Sequence, residues 1–111
     1  MISTVISKNG KELRLTAERW SHIVEAHDYM AGNQDLVFET LENPDYIVGG
    51  GQGEFIALKH YKKTSISEKD VVVIYDVVVI YKEKEKEGFV ITAFMTSEPE
   101  RIIKKGVIWR K

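Results

Sequence analysis

Val71-Val-Val-Ile-Tyr-Asp-Val-Val-Val-Ile-Tyr81 is the segment that leaves this chain least choice of fold. β-Branched side chains are stiff at their first torsion and suit a pleated surface better than a helix. The run exceeds the usual strand length, and its apolarity is broken only by Asp76, so burial on both faces is expected. It reads as a central strand, with Phe89-Val-Ile-Thr-Ala-Phe-Met-Thr96 returning as its partner after the charged turn Lys82-Glu-Lys-Glu-Lys-Glu-Gly88. No apolar run approaches the roughly 18 residues of a membrane-spanning helix.

The other elements follow from local signals. Ile2–Ser7 and Glu12–Leu15 flank Asn9-Gly10, a pair suited to the tight I′ turn of a hairpin. Thr16 is placed to cap a helix from Ala17 to about His27, with Trp20, Ile23, Val24 and His27 on one stripe. A second helix is expected from about Gln34 to Glu42, burying Leu36, Val37, Thr40 and Leu41 before Pro44 stops it. Tyr46-Ile-Val, the glycine-rich Gly49–Gly53 and Glu54–Tyr61 read as strand, turn and strand. Neither the phosphate loop nor the dinucleotide fingerprint matches those glycines. Ser97 with Glu100 spells a capping box for a short helix through about Lys105, ended by Gly106, and Val107-Ile-Trp109 adds a last apolar segment. The fold class expected is α+β: an N-terminal hairpin and two short helices, then an antiparallel sheet of about four strands with a short C-terminal helix. A chain of 111 residues makes one domain, residues 1–111.

Composition narrows the chemistry. The chain has no cysteine, which excludes disulfides, thiolate metal sites and a cysteine nucleophile. The N-terminus has neither the basic start nor the apolar core of a secretory signal, so a cytoplasmic setting without membrane attachment is expected. Net charge is −1, yet residues 1–56 carry −5 and residues 57–111 carry +4, which gives the C-terminal half a basic face. His22 and His27 lie five apart, about 140° around a helix, which suits no shared metal ion. No metal or other cofactor is expected. Acid–base chemistry remains: histidine moves protons near neutral pH, and a phosphodiester substrate needs cations beside it.

Arg19 and His22 share a flank of the first helix, and His27 extends its buried stripe. In Lys59-His-Tyr-Lys62, alternation sends His60 and Lys62 to one side of the strand and Tyr61 to the other. Thr92 and Thr96, four apart on a strand, point the same way. Each residue also has an ordinary structural use: a capping histidine, a lysine-guarded edge, β-propensity.

Arg19-Trp-Ser-His-Ile-Val-Glu-Ala-His27, Asn43-Pro-Asp-Tyr-Ile47, His60-Tyr-Lys62 and Val90-Ile-Thr-Ala-Phe94 together resemble the phage-associated nucleases of the barnase/EndoU/colicin/RelE-like group. The resemblance spans about residues 16–109 and departs at Ala26-His-Asp-Tyr29, where an Arg-His-Pro-Glu-like run would stand. It implies helices followed by a four-stranded antiparallel sheet, and metal-independent cleavage of RNA. By that resemblance His27 is the principal acid–base group, with His22 and Arg19 lining the site. Lys62 or Tyr61 contacts phosphate, beside His60, and Thr92 hydrogen-bonds the substrate or orients a partner, with Thr96 beside it on the same strand face. RNA is the implied partner, with a neutralising protein as a second. The alternative is a non-catalytic α+β module that holds nucleic acid or protein with its basic half and Tyr61, Tyr81 and Trp109.

Overall fold

The computed structural model describes residues 2–65, 71–85 and 87–111. Lys86 of the charged turn therefore lies outside the described residues. Strands β1 (Ile2–Ile6) and β2 (Glu12–Thr16) form the hairpin, followed by helices α1 (Ala17–Ala26) and α2 (Gln34–Glu42) with a 3₁₀ turn at Asp28–Met30 between them. Strands β3 (Tyr46–Gly49), β4 (Glu54–Ser65), β5 (Val71–Glu83) and β6 (Glu87–Thr96) come next, then helix α3 (Glu100–Ile103) and strand β7 (Val107–Arg110).

All strands join one seven-stranded sheet in the order β1-β2-β6-β5-β4-β3-β7. The α+β class fits broadly, but the expectation of about four antiparallel strands is corrected on two counts. The N-terminal hairpin is part of the sheet, and β2 meets β6 in parallel through Glu12–Arg14 against Glu87–Phe89. At the other edge β3 and β7, of four residues each, pair with one another. Strands this short carry too few alternations to announce their partners.

β5 occupies the middle of the sheet, and its alternation explains the valine run. Val77, Val79 and Tyr81 face α1 and α2, packing with Leu13, Leu15, Ile23, Val37 and Leu41. Val78 turns the other way, into a smaller cluster with Val48, Ile56, Leu58 and the α3 residues Ile102 and Ile103. Over Val77–Val79 both faces of β5 are thus removed from water, whereas Ile74 is exposed, and each fully buried valine contributes about 1.5–3 kcal/mol. The sheet has a helix face, under α1 and α2, and an opposite face that α3 covers in part.

Local signals were realised unevenly. The Thr16 hydroxyl accepts from the Arg19 N–H at 3.0 Å and caps α1. Asn9-Gly10 does not make a I′ turn: only Gly10 has positive φ, +81°, within a wider loop closed by Ser7 N–H donating to the Lys11 carbonyl. The capping box at Ser97 and Glu100 does not form. α3 begins after Pro99 with no side-chain cap, and the Thr96 hydroxyl accepts from the Glu98 N–H instead. No described helix is long and apolar enough to cross a membrane.

Candidate functional site

Pairing of β4, β5 and β6 aligns His60, Asp76 and Thr96 in one row across the face opposite α1 and α2. The His60 Nδ1 lies 2.8 Å from the Asp76 Oδ1. Half of the His60 side chain is exposed, whereas that of Asp76 is 4% exposed. A buried carboxylate accepts hydrogen bonds and donates none while ionised, so it holds the neutral imidazole with its proton on Nδ1. The Nε2 lone pair is then free to accept a proton.

Asp45 fixes the backbone of this row. Its carboxylate accepts from the His60 N–H at 2.8 Å, its own N–H donates to the Leu58 carbonyl, and its carbonyl accepts from the Lys111 N–H. One residue just ahead of β3 therefore ties the middle of β4 to the C-terminus. The result is a cleft of about 590 Å³ in which His60 and Asp76 face Arg110, Lys111 and Glu100. The Arg110 guanidinium lies 5.5 Å over the Tyr46 ring, which holds this cation at the rim. Lys62, two residues along β4, is exposed on the His60 side.

His27 sits elsewhere on the same sheet. It is the residue that ends α1, its ring 5.7 Å from that of Phe94, which belongs to the cluster opposite α1 and α2. Thr92 and Thr96 flank Phe94 on β6. The Tyr29 hydroxyl lies 3.2 Å from the His27 Nδ1 and accepts the Met95 N–H at 3.2 Å. The hydroxyl can both donate to Nδ1 and accept from it, so the contact serves the neutral ring and the imidazolium alike and leaves Nε2 unengaged by Tyr29.

The remaining expected site residues divide into two places. Arg19 and His22 share a small cleft with Thr16 and Glu18 at the start of α1, apart from His27. Tyr61 lies on the helix face, stacked on Tyr75 at 5.8 Å, its hydroxyl donating to Glu39 at 2.9 Å. Burial, then the bond to Glu39, push its phenol well above the usual tyrosine value of 10.0. A ligand at His60 cannot reach Tyr61, because the sheet lies between them.

Asp45, Asp76 and Arg110 were not among the residues singled out. Asp76 carried a signal: a carboxylate inside a strand buried on both faces must have a partner. Asp45 stood in the Asn43–Ile47 motif with no role assigned, and Arg110 carried no signal, since their places come from the pairing of β3 with β4 and with β7.

Comparison of the chain with protein-family models, with curated proteins and with solved structures gives no match in any of the three.

Proposed function

We propose that this chain is a metal-independent endoribonuclease that cleaves RNA by transesterification on the sheet face carrying His60. The observation that carries this reading is the 2.8 Å contact between His60 Nδ1 and the buried Asp76, which frees Nε2 as a base in an open cleft. His60 takes the proton of a ribose 2′-hydroxyl as that oxygen attacks the adjacent phosphorus. The bond from phosphorus to the 5′-oxygen breaks, giving a 2′,3′-cyclic phosphate. The leaving oxygen takes a proton from the Nε2 of His27 in its imidazolium form, which is left as the neutral ring with its remaining proton on Nδ1, donated to the Tyr29 hydroxyl oxygen. Arg110, Lys111 and Lys62 stabilise the charge that builds on the phosphoryl oxygens.

His60 is carried by β4, and His27 rests from the end of α1 against Phe94 of β6, two interstrand steps or about 10 Å from β4. Thr92 and Thr96 line the interval on β6. This arrangement retains the acid–base chemistry that the resemblance implies, but divides it between helix α1 and strand β4 and leaves His22 outside the reacting pair.

The test is incubation of a mixed RNA pool with the protein in excess EDTA. Cleavage by the wild type is expected, with His60→Ala and His27→Ala each lowering the rate about 10²–10⁴-fold. His22→Ala is expected to retain more of the rate than either. Unaltered cleavage by His60→Ala overturns the mechanism; RNA bound but uncut by the wild type favours a binding module.

A further inference from the structure

β2 and β6 touch only through Glu12–Arg14 and Glu87–Phe89, and beyond Arg14 they part, β2 leading into α1 and β6 running on to Thr96. At this fork lies a second cleft, of about 330 Å³, lined by Arg14, Arg19, Lys84, Glu87 and Phe89. Its lining holds three cations to one carboxylate, and Glu87 is engaged with Arg14 at 2.6 Å. Phe89 is 39% exposed, an unusual condition for a large aromatic in a sheet. The Lys84 ammonium stands 5.7 Å over its ring.

Register sets this cleft on the same face as the proposed site. Arg14 pairs with Phe89, Phe89 with Lys82, and Lys82 shares a side of β5 with Asp76. From Lys82 to Asp76 is six residues along one strand, about 20 Å.

We propose that the fork is a subsite for single-stranded RNA, one base stacking on Phe89 while Arg19 and Lys84 hold the neighbouring phosphates. This rests on the RNA-cleavage reading and names the form of substrate it takes. An exposed aromatic between cations suits a single strand, whose bases present free π-faces; a duplex offers this cleft only its phosphates. A strand bound at the fork runs along the β6 side of this face, past the half-buried Thr92 and Phe94 and beside the cluster that α3 covers, to the His60 row. A span of about 20 Å lies within reach of the roughly 4–16 nucleotides that single-strand-binding surfaces track. Arg19 thereby acts at a distance from the reacting phosphate, as a residue that retains the strand.

The experiment measures fluorescence anisotropy of the wild-type protein with a labelled oligouridylate of about 12 nucleotides. The probe is 2′-O-methylated throughout, so it carries no hydroxyl nucleophile and stays intact. Two variants are compared, Arg19→Ala/Lys84→Ala and Phe89→Leu, each verified as folded by circular dichroism. The double variant is expected to bind at least about tenfold more weakly. Its plot of log affinity against log salt should be shallower by about 1.4, the value for two lost contacts to a single strand. Phe89→Leu is expected to weaken binding about tenfold with the slope unchanged, an effect that disappears when the probe is annealed to its complement. Undiminished affinity in both variants, with RNA still cleaved by the wild type, overturns the subsite and leaves the nuclease reading standing. A wild type that neither binds the probe at low salt nor cleaves RNA overturns both.

Discussion

Asp76 is the residue on which the reading of this molecule turns. A carboxylate removed from water costs several kcal/mol unless it is paired, and here it stands among valines in the middle strand of the sheet. His60 supplies the partner, and in return the carboxylate fixes which imidazole nitrogen carries the proton. Asp76→Asn preserves volume but presents an amide that can donate to Nδ1, which turns the ring to the other tautomer and removes the free base. Cleavage by Asp76→Asn is expected to fall about 10²–10⁴-fold while the far-ultraviolet circular dichroism is unchanged. Full activity in a folded Asp76→Asn protein contradicts a proton-accepting His60. At this scale the sequence was partly readable. Alternation separated His60 and Lys62 from Tyr61 and set Thr92 and Thr96 on one side, because side-chain direction in a strand is a local property. The pairing of His60 with Asp76 was not legible. Those residues lie 16 apart, and only the β4–β5 register brings them level.

Elements were legible where their own residues decide them. The Gln34–Glu42 helix follows from its apolar spacing and the stop at Pro44, and the Val71 strand from its β-branched run. Pairing between short distant strands has no such signature. The parallel contact of β2 with β6 depends on Gly88, which lies between both neighbours of β6. A Cβ there collides with the Lys82 carbonyl oxygen and comes to 2.8 Å from the Leu13 Cδ2. Gly88 pairs with Leu13 on one side and Glu83 on the other, so no simple rotation of a side chain relieves the clash. Gly88→Ala is expected to destabilise the fold by about 1–3 kcal/mol, as overpacking of a tight core does. Urea unfolding followed by circular dichroism measures it; a midpoint equal to that of the wild type means that β6 does not approach β5 and β2 at Gly88 as described. The failure of the Ser97 capping box is a related lesson. Thr96 ends β6 and accepts from the Glu98 N–H, ahead of a helix that begins only after Pro99 and has no side-chain cap.

Across the whole molecule, two tyrosines join the helix layer to the sheet, and both resist ionisation. Tyr81 is 1% exposed in the main core, stacked on Phe55 at 5.6 Å, and burial followed by the nearby Glu83 charge raises its phenol well above 10.0. Tyr61, under α2, is raised by burial and by its bond to Glu39. In the unfolded chain both lose their protons near pH 10, whereas the native protein holds them to higher pH. Between those limits the unfolded state binds fewer protons, so stability falls as pH rises. The contribution of these two groups is therefore complete below pH 10 and is lost on the alkaline side. Of the five tyrosines in the chain, the phenolate absorbance of Tyr61 and Tyr81 is expected to appear only together with loss of the circular dichroism signal. Tyr61→Phe removes one of the two late-titrating groups, so its stability should decline less steeply with pH above 10, even though losing the bond to Glu39 costs about 1 kcal/mol at neutral pH. Ionisation of all five tyrosines near pH 10 with the fold intact contradicts the packing of α2 on β4. Because Tyr61 and His60 are adjacent on β4 but face opposite sides of the sheet, loosening α2 also releases the backbone that presents His60.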